Sequence, residues 1–238
     1  MPVKALTAPG DTAGKNILKS GTDYDTVHDA TAGAIMRATN TFTGHTTLGG
    51  NYFTRRGILV YDFRAAPASL QGIRVMRAQL IVNDVVETAA QTGGDKVRVA
   101  WLFNPETFGD FHLNDYNKAR YDTTTYTSAQ QLNNGLDGEI ISLDNRNLLN
   151  QLQRAISKKT FLHLVIRNEL DYQDTTPTGN NRVFFDRPNA DDNPMQLRVF
   201  YRIVNNRRNP GGRGAGGVAS SGFGGVSMFS GTNSGFSN

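Results

Sequence analysis

The chain has 238 residues, 38% of them hydrophobic, and a formal net charge of +4, with an isoelectric point of about 9.4; that is enough to bury the core of one large domain. It has no cysteine, which excludes disulfides, thiolate metal sites and a cysteine nucleophile. Lysine and arginine are interleaved with aspartate and glutamate rather than gathered in blocks, an arrangement that argues against nucleic acid as the main partner.

The N-terminal MPVKALTAPGDTAGKN lacks the apolar core of a signal peptide, and no stretch approaches the ~18 apolar residues of a membrane span. The expectation is a soluble protein made in a cytoplasm, with no membrane partner. Residues 1–22, rich in Gly, Thr, Ala and Lys without periodicity, read as an extended N-terminal arm that reaches a neighbour.

From Tyr24 to Leu48, short apolar stretches such as Ala34-Ile35-Met36 alternate with Thr, Asn and Gly, as in short strands closed by the Gly49-Gly50-Asn51 break. The run from Gly57 to Phe63 (GILVYDF) is almost continuously apolar, which predicts a strand covered on both faces. After Pro67 and Gly72, VMRAQLIVND predicts a strand with Val75, Leu80 and Val82 inward. Beyond the turn at Thr92-Gly93-Gly94-Asp95, Val97, Val99, Trp101 and Phe103 alternate with Arg98, Ala100 and Leu102 at the period of a pleated strand.

Residues 104–138 are polar and aromatic, too long for a plain connector, and read as an ordered excursion displaying Phe111, Tyr116, Tyr121 and Tyr126. These four form the expected ligand or partner loop. Leu148, Leu149, Leu152 and Ile156 then fall at helical spacing, with Asp144 or Asn145 placed to cap and Lys158-Lys159 suited to the last turn. FLHLVIR (161–167), RVFFD (182–186) and LRVFYRIV (197–204) complete the strands, the last after a loop bracketed by Pro188 and Pro194.

Many short strands and one helix predict an all-β fold: an antiparallel β-sandwich over residues 23–206. From Asn209 to Asn238 the composition is mostly Gly and Ser, and residues 207–238 read as a tail that forms no core of its own. That tail carries Phe223, Phe229 and Phe236, spaced so that each can fill a separate pocket on a partner.

The segment Arg56-Gly57-Ile58-Leu59-Val60-Tyr61-Asp62-Phe63 resembles the "arginine, apolar run, Phe-Asp" strand of jelly-roll modules named DNRLRE domains, related in shape to carbohydrate-binding modules. Gly72-Ile73 with Ala78-Gln79-Leu80 is similar to their "G-x-I-x-x-A-x-L" segment, although Tyr61-Asp62-Phe63 departs from their usual Phe-Asp-Leu. The strand at 97–101, the helix at 143–156 and the strand at 195–201 follow in the family's order, so the likeness spans residues 23–203. The resemblance implies a jelly roll. Such modules occur in secreted surface proteins and, as small stand-alone proteins without signal peptides, among the structural proteins of tailed bacteriophages; this chain looks like the second kind.

No chemistry is announced by the motifs. His28, His45, His112 and His163 are scattered and lack a second ligand at i+2 or i+4, so no metal is expected, and His163 reads as a half-exposed sheet residue. Acidic clusters lie at Asp23-Tyr24-Asp25, at Asp84 to Glu87 and at Asn189-Ala190-Asp191-Asp192-Asn193. The last has oxygen ligands dense enough for calcium without EF-hand spacing, and a solvated turn is the simpler reading. Arg207-Arg208 and Gly211-Gly212-Arg213-Gly214 resemble one unit of an RGG-type segment, or a solvated linker junction.

No serine-nucleophile elbow or phosphate-binding loop appears, so neither a catalytic residue nor a cofactor is expected. The leading expectation is a non-enzymatic virion protein of a tailed phage, such as a head decoration, neck or tail accessory protein. It would assemble with capsid, neck or tail proteins and with its own copies. A carbohydrate- or receptor-binding module for a host surface glycan is the alternative, and a hydrolase built on unpaired carboxylates ranks last.

Overall fold

The structure, a computed structural model, describes residues 3–7, 14–37, 41–66, 68–70, 72–185 and 195–204. In chain order the strands are β1 (Val3–Thr7), β2 (Gly14–Gly21), β3 (Ile35–Arg37), β4 (Thr41–Leu48), β5 (Asn51–Asp62), β6 (Ile73–Val82), β7 (Val86–Ala89), β8 (Lys96–Trp101), β9 (Gln130–Gln131), β10 (Glu139–Ser142), β11 (Phe161–Asn168), β12 (Asn181–Phe185) and β13 (Gln196–Ile203). The helices are α1 (Tyr24–His28), α2 (Arg146–Lys158) and α3 (Glu169–Tyr172). None of the described helices is long and apolar enough to cross a membrane.

The fold is mostly β, and every strand pairing among the described residues is antiparallel. A four-stranded sheet runs β1-β13-β6-β10; a larger one runs β7-β12-β4-β5-β11-β8-β9, with β2 on β5 and β3 on β2. Leu80, Leu197 and Val199 from the smaller sheet meet Leu59, Val99, Leu164 and Phe185 from the larger in one apolar core. This is the layering of a β-sandwich.

A second apolar cluster lies on the opposite face of the larger sheet, around Ile17, Ile58, Val60, Ala100, Leu102 and Val165. It explains the continuous hydrophobicity of β5. Leu59 and Tyr61 face the main core, while Ile58 and Val60 face the second cluster. The same holds for β8, where Val97 and Val99 point one way and Ala100 and Leu102 the other. Phe103, read as part of this alternating strand, lies beyond the strand end and is 46% exposed.

The helix expected near residue 145 forms as α2. Asn145 Oδ1 accepts from the Asn147 and Leu148 amides at 2.8 and 3.2 Å, so Asn145 rather than Asp144 is the cap. Leu148, Leu149, Leu152, Ala155 and Ile156 are buried. Lys159, at φ 52, takes the left-handed conformation that ends the helix.

Two expectations need correction. Within the expected arm of residues 1–22, the described stretches do not stand apart: β1 adds to β13 and β2 to β5, because free sheet edges there offer backbone partners. Residues 24–28, read as strand and turn, form the short helix α1, capped by the Asp23 carboxylate on the Thr26 amide at 2.7 Å. The run 189–193, Pro188, Pro194, Arg207, Arg208, Arg213 and the tail anchors Phe223, Phe229 and Phe236 lie outside the described residues.

Candidate ligand-binding cleft

The four aromatics expected on an exposed binding loop are interior. Phe111, Tyr116, Tyr121 and Tyr126 are 7%, 0%, 3% and 9% exposed, because the 111–126 stretch of the excursion lies across the outer face of the larger sheet and roofs the second apolar cluster. The three tyrosine hydroxyls find partners inside. Tyr116 Oη donates to the Val27 carbonyl at 2.8 Å, Tyr121 Oη reaches the Asp115 and Tyr116 carbonyls, and Tyr126 Oη accepts from Arg167 at 3.0 Å. They are no stacking platform for a sugar.

Under this roof sits a buried ionic cluster. Arg56 donates to both Asp171 carboxylate oxygens and to the Tyr116 and His28 carbonyls, and Arg167 Nε donates to Asp171 Oδ2 at 2.7 Å. Burial alone would push the Asp171 carboxyl up, but the Arg167 and Arg56 guanidiniums outweigh it and hold it well below the usual carboxylate range. Everything in this cluster is committed to internal partners.

At its margin, His28 Nε2 meets the Asp171 carbonyl at 2.9 Å, while Nδ1 faces Asp29 Oδ1 at 2.7 Å and Asp174 Oδ1 at 3.0 Å. These three side chains could offer a metal ion one ligand atom each, within 4.8 Å of one another. Lys118 already pairs with Asp29 and the Tyr24 hydroxyl donates to Asp174, so both carboxylates have partners within the chain.

An open concavity lies where the end of β8, the start of β11 and the polar side of α2 meet. A cleft of about 330 Å³ is lined by Trp101, Phe103, Phe108 and Phe161 from the sheet and its loop and by Gln151, Arg154 and Lys158 from α2. Phe103 and Phe108 are 46% and 63% exposed. The Trp101 and Phe103 ring centroids stand 6.1 Å apart, and Phe108 meets Phe161 edge to face at 5.5 Å. No carboxylate lines the cleft, and no ion pair of the described residues uses Arg154 or Lys158.

The loop carrying Phe108 is pinned to the sheet. The Gly109 amide donates to His163 Nε2 at 3.1 Å, and a Cβ at Gly109, whose φ is +84, would stand 2.6 Å from the Phe161 ring. His163 is therefore not half-exposed but 2% exposed; burial pushes its pKa down to about 4, which leaves the ring neutral and its Nε2 free to accept.

Sequence reasoning placed Trp101 and Phe103 on an alternating strand and singled out neither Phe108 nor the basic wall. One usable signal was present: Gln151, Arg154 and Lys158, at i, i+3 and i+7, share the helix face opposite the buried leucines. The other was Pro105 and Gly109 bracketing an aromatic, the mark of a turn that presents a side chain. Protein-family models and curated proteins yield no match to this chain.

Proposed function

We propose that this chain is a non-enzymatic binding module, a jelly-roll β-sandwich that holds an acidic sugar residue in the Trp101–Phe108 cleft. The observation that carries the reading is the meeting, in one concavity, of exposed aromatic rings with two cations that no ion pair of the described residues uses. A sugar ring stacks on Trp101 and Phe108 through its apolar C–H face. Its carboxylate meets Arg154 and Lys158, and Gln151 supplies neutral hydrogen bonds. The volume is at the small end of ligand pockets, which suits one or two sugar rings.

A glycan array spanning neutral and uronic- or sialic-acid-bearing saccharides tests this. Binding confined to acidic glycans and lost in Phe108→Ala and Arg154→Gln is the expected result; silence across the array overturns it.

The second reading places the module in a tailed-phage particle, as a head decoration, neck or tail accessory protein in contact with other virion proteins and its own copies. What favours it is the abrupt change of composition after residue 206 together with Phe223, Phe229 and Phe236, on top of the resemblance to DNRLRE modules. Truncation at Asn209 is the test: particles that incorporate the shortened chain at full occupancy and stability exclude assembly through the tail.

A further inference from the structure

We propose that the outer face of the four-stranded sheet binds a single strand of nucleic acid. In β6 and β13 the residues Val75, Ala78, Leu80, Leu197, Val199 and Tyr201 face the core, so their neighbours face away from it. The register sets Arg74 opposite Arg202, Arg77 opposite Phe200 and Arg198 opposite Gln79. Arg74 and Arg77, three residues apart, would lie on opposite faces of an unbroken strand. The register shift between Phe200 and Tyr201 adds Met76 to β6 and returns both arginines to the outer face.

Arginines dispersed in sequence thus become one patch. Arg74, Arg77 and Arg202 are exposed and Arg198 is half-buried. No ion pair of the described residues uses Arg74, Arg77 or Arg198. Residues 63–83 and 193–238 carry no aspartate or glutamate at all, so nothing within these segments neutralises the face.

Three features select a single strand among polyanions. The cations described on this face, Arg74, Arg77, Arg198 and Arg202, are all arginine, whose planar fork matches phosphate oxygens. Phe200 sits among them, half-buried with the Arg77 guanidinium 5.2 Å from its ring centroid, an arrangement suited to stacking an unpaired base. Three inter-strand steps of ~4.8 Å make the sheet ~14 Å wide before side chains, too broad for the ~12 Å major groove of a duplex.

The test is fluorescence anisotropy of the full chain with a labelled oligothymidylate, a duplex of equal length and a polyglutamate competitor. The expected result is salt-sensitive binding of the single strand in preference to duplex. Replacing Arg74, Arg77 and Arg198 together by Gln should lower the slope of log affinity against log salt by about 2, at about 0.7 per lost phosphate contact, with an unchanged circular dichroism spectrum. Phe200→Leu, which keeps every charge, should weaken binding roughly tenfold. An unchanged slope in the arginine variant, full affinity in Phe200→Leu, equal competition by polyglutamate, preference for duplex, or no binding would each overturn the proposal.

Discussion

Arg56 and Asp171 stand 115 residues apart in the chain and meet as a two-pronged ion pair, Nε to Oδ2 at 3.0 Å and Nη2 to Oδ1 at 2.7 Å, with both side chains at 0% exposure. A charge pair sealed from water is strong only while it is whole, because removing one partner leaves the other charged, buried and unsolvated. Here one carboxylate serves two guanidiniums, since Arg167 Nε also donates to Asp171. The cluster ties β5 and β11 to α1, α3 and the loop roof.

Asp171→Ala should therefore destabilise the protein by roughly 3–5 kcal/mol, read as a fall in the denaturant midpoint at pH 7. Arg64→Gln, which breaks the exposed Arg64–Asp62 pair, should leave that midpoint nearly where it is. Equal effects from the two variants would mean that the buried cluster does not organise the fold.

Acid sensitivity follows from two buried imidazoles. Burial pushes His45 and His163 down to about 4 from an ordinary 6.5. His45 is held neutral between the Thr175 carbonyl at 2.9 Å and the Thr54 hydroxyl at 3.0 Å. Above pH 6.5 both folded and unfolded chains carry these rings neutral; as the pH falls, the unfolded chain takes up protons first. The stability they contribute is fully present above about 6.5 and is lost as the pH falls to about 4, on the order of 3 kcal/mol for each. His163→Gln keeps an acceptor for Gly109 and removes one titration, so its unfolding free energy should fall less steeply between pH 6.5 and 4.

The regular elements were legible in the sequence because they are periodic. The alternation at Val97 and Val99, the apolar run of β5 and the helical spacing of Leu148, Leu149, Leu152 and Ile156 each encode a face. The loop was not legible, because a tyrosine reads as surface or as core depending on whether its hydroxyl finds a partner. Tyr116 and Tyr121 find carbonyls contributed by Val27, Asp115 and Tyr116 itself, which no local pattern announces. The Arg56–Asp171 pair and the gathering of Arg74, Arg77, Arg198 and Arg202 depend on pairing and register, which sequence spacing alone does not supply.

Asn145 joins α2 to the loop roof. Besides capping the helix, its Nδ2 donates to the Thr124 and Tyr126 carbonyls at 3.0 and 2.9 Å. Asn145→Ala should cost about 1–2 kcal/mol, more than an isolated cap, and should raise amide hydrogen exchange around residues 124–126. A loss of stability with no change in that exchange would reduce Asn145 to a cap alone.

Gly109→Ala tests the support of the cleft. A left-handed φ and a Cβ 2.6 Å from the Phe161 ring should force the Phe108 loop away from the sheet. Affinity for an acidic saccharide should fall by an order of magnitude, with global stability reduced by only about 1–2 kcal/mol.

Trp101 is the single tryptophan of the chain and lines the cleft, so its fluorescence reports directly on what enters. Titration with an acidic oligosaccharide should give a saturable change in Trp101 emission, abolished in Phe108→Ala and strongly weakened in Arg154→Gln. Binding of the saccharide with no change in Trp101 emission, or an unaltered titration in Phe108→Ala, would contradict the assignment of this cleft as the binding site.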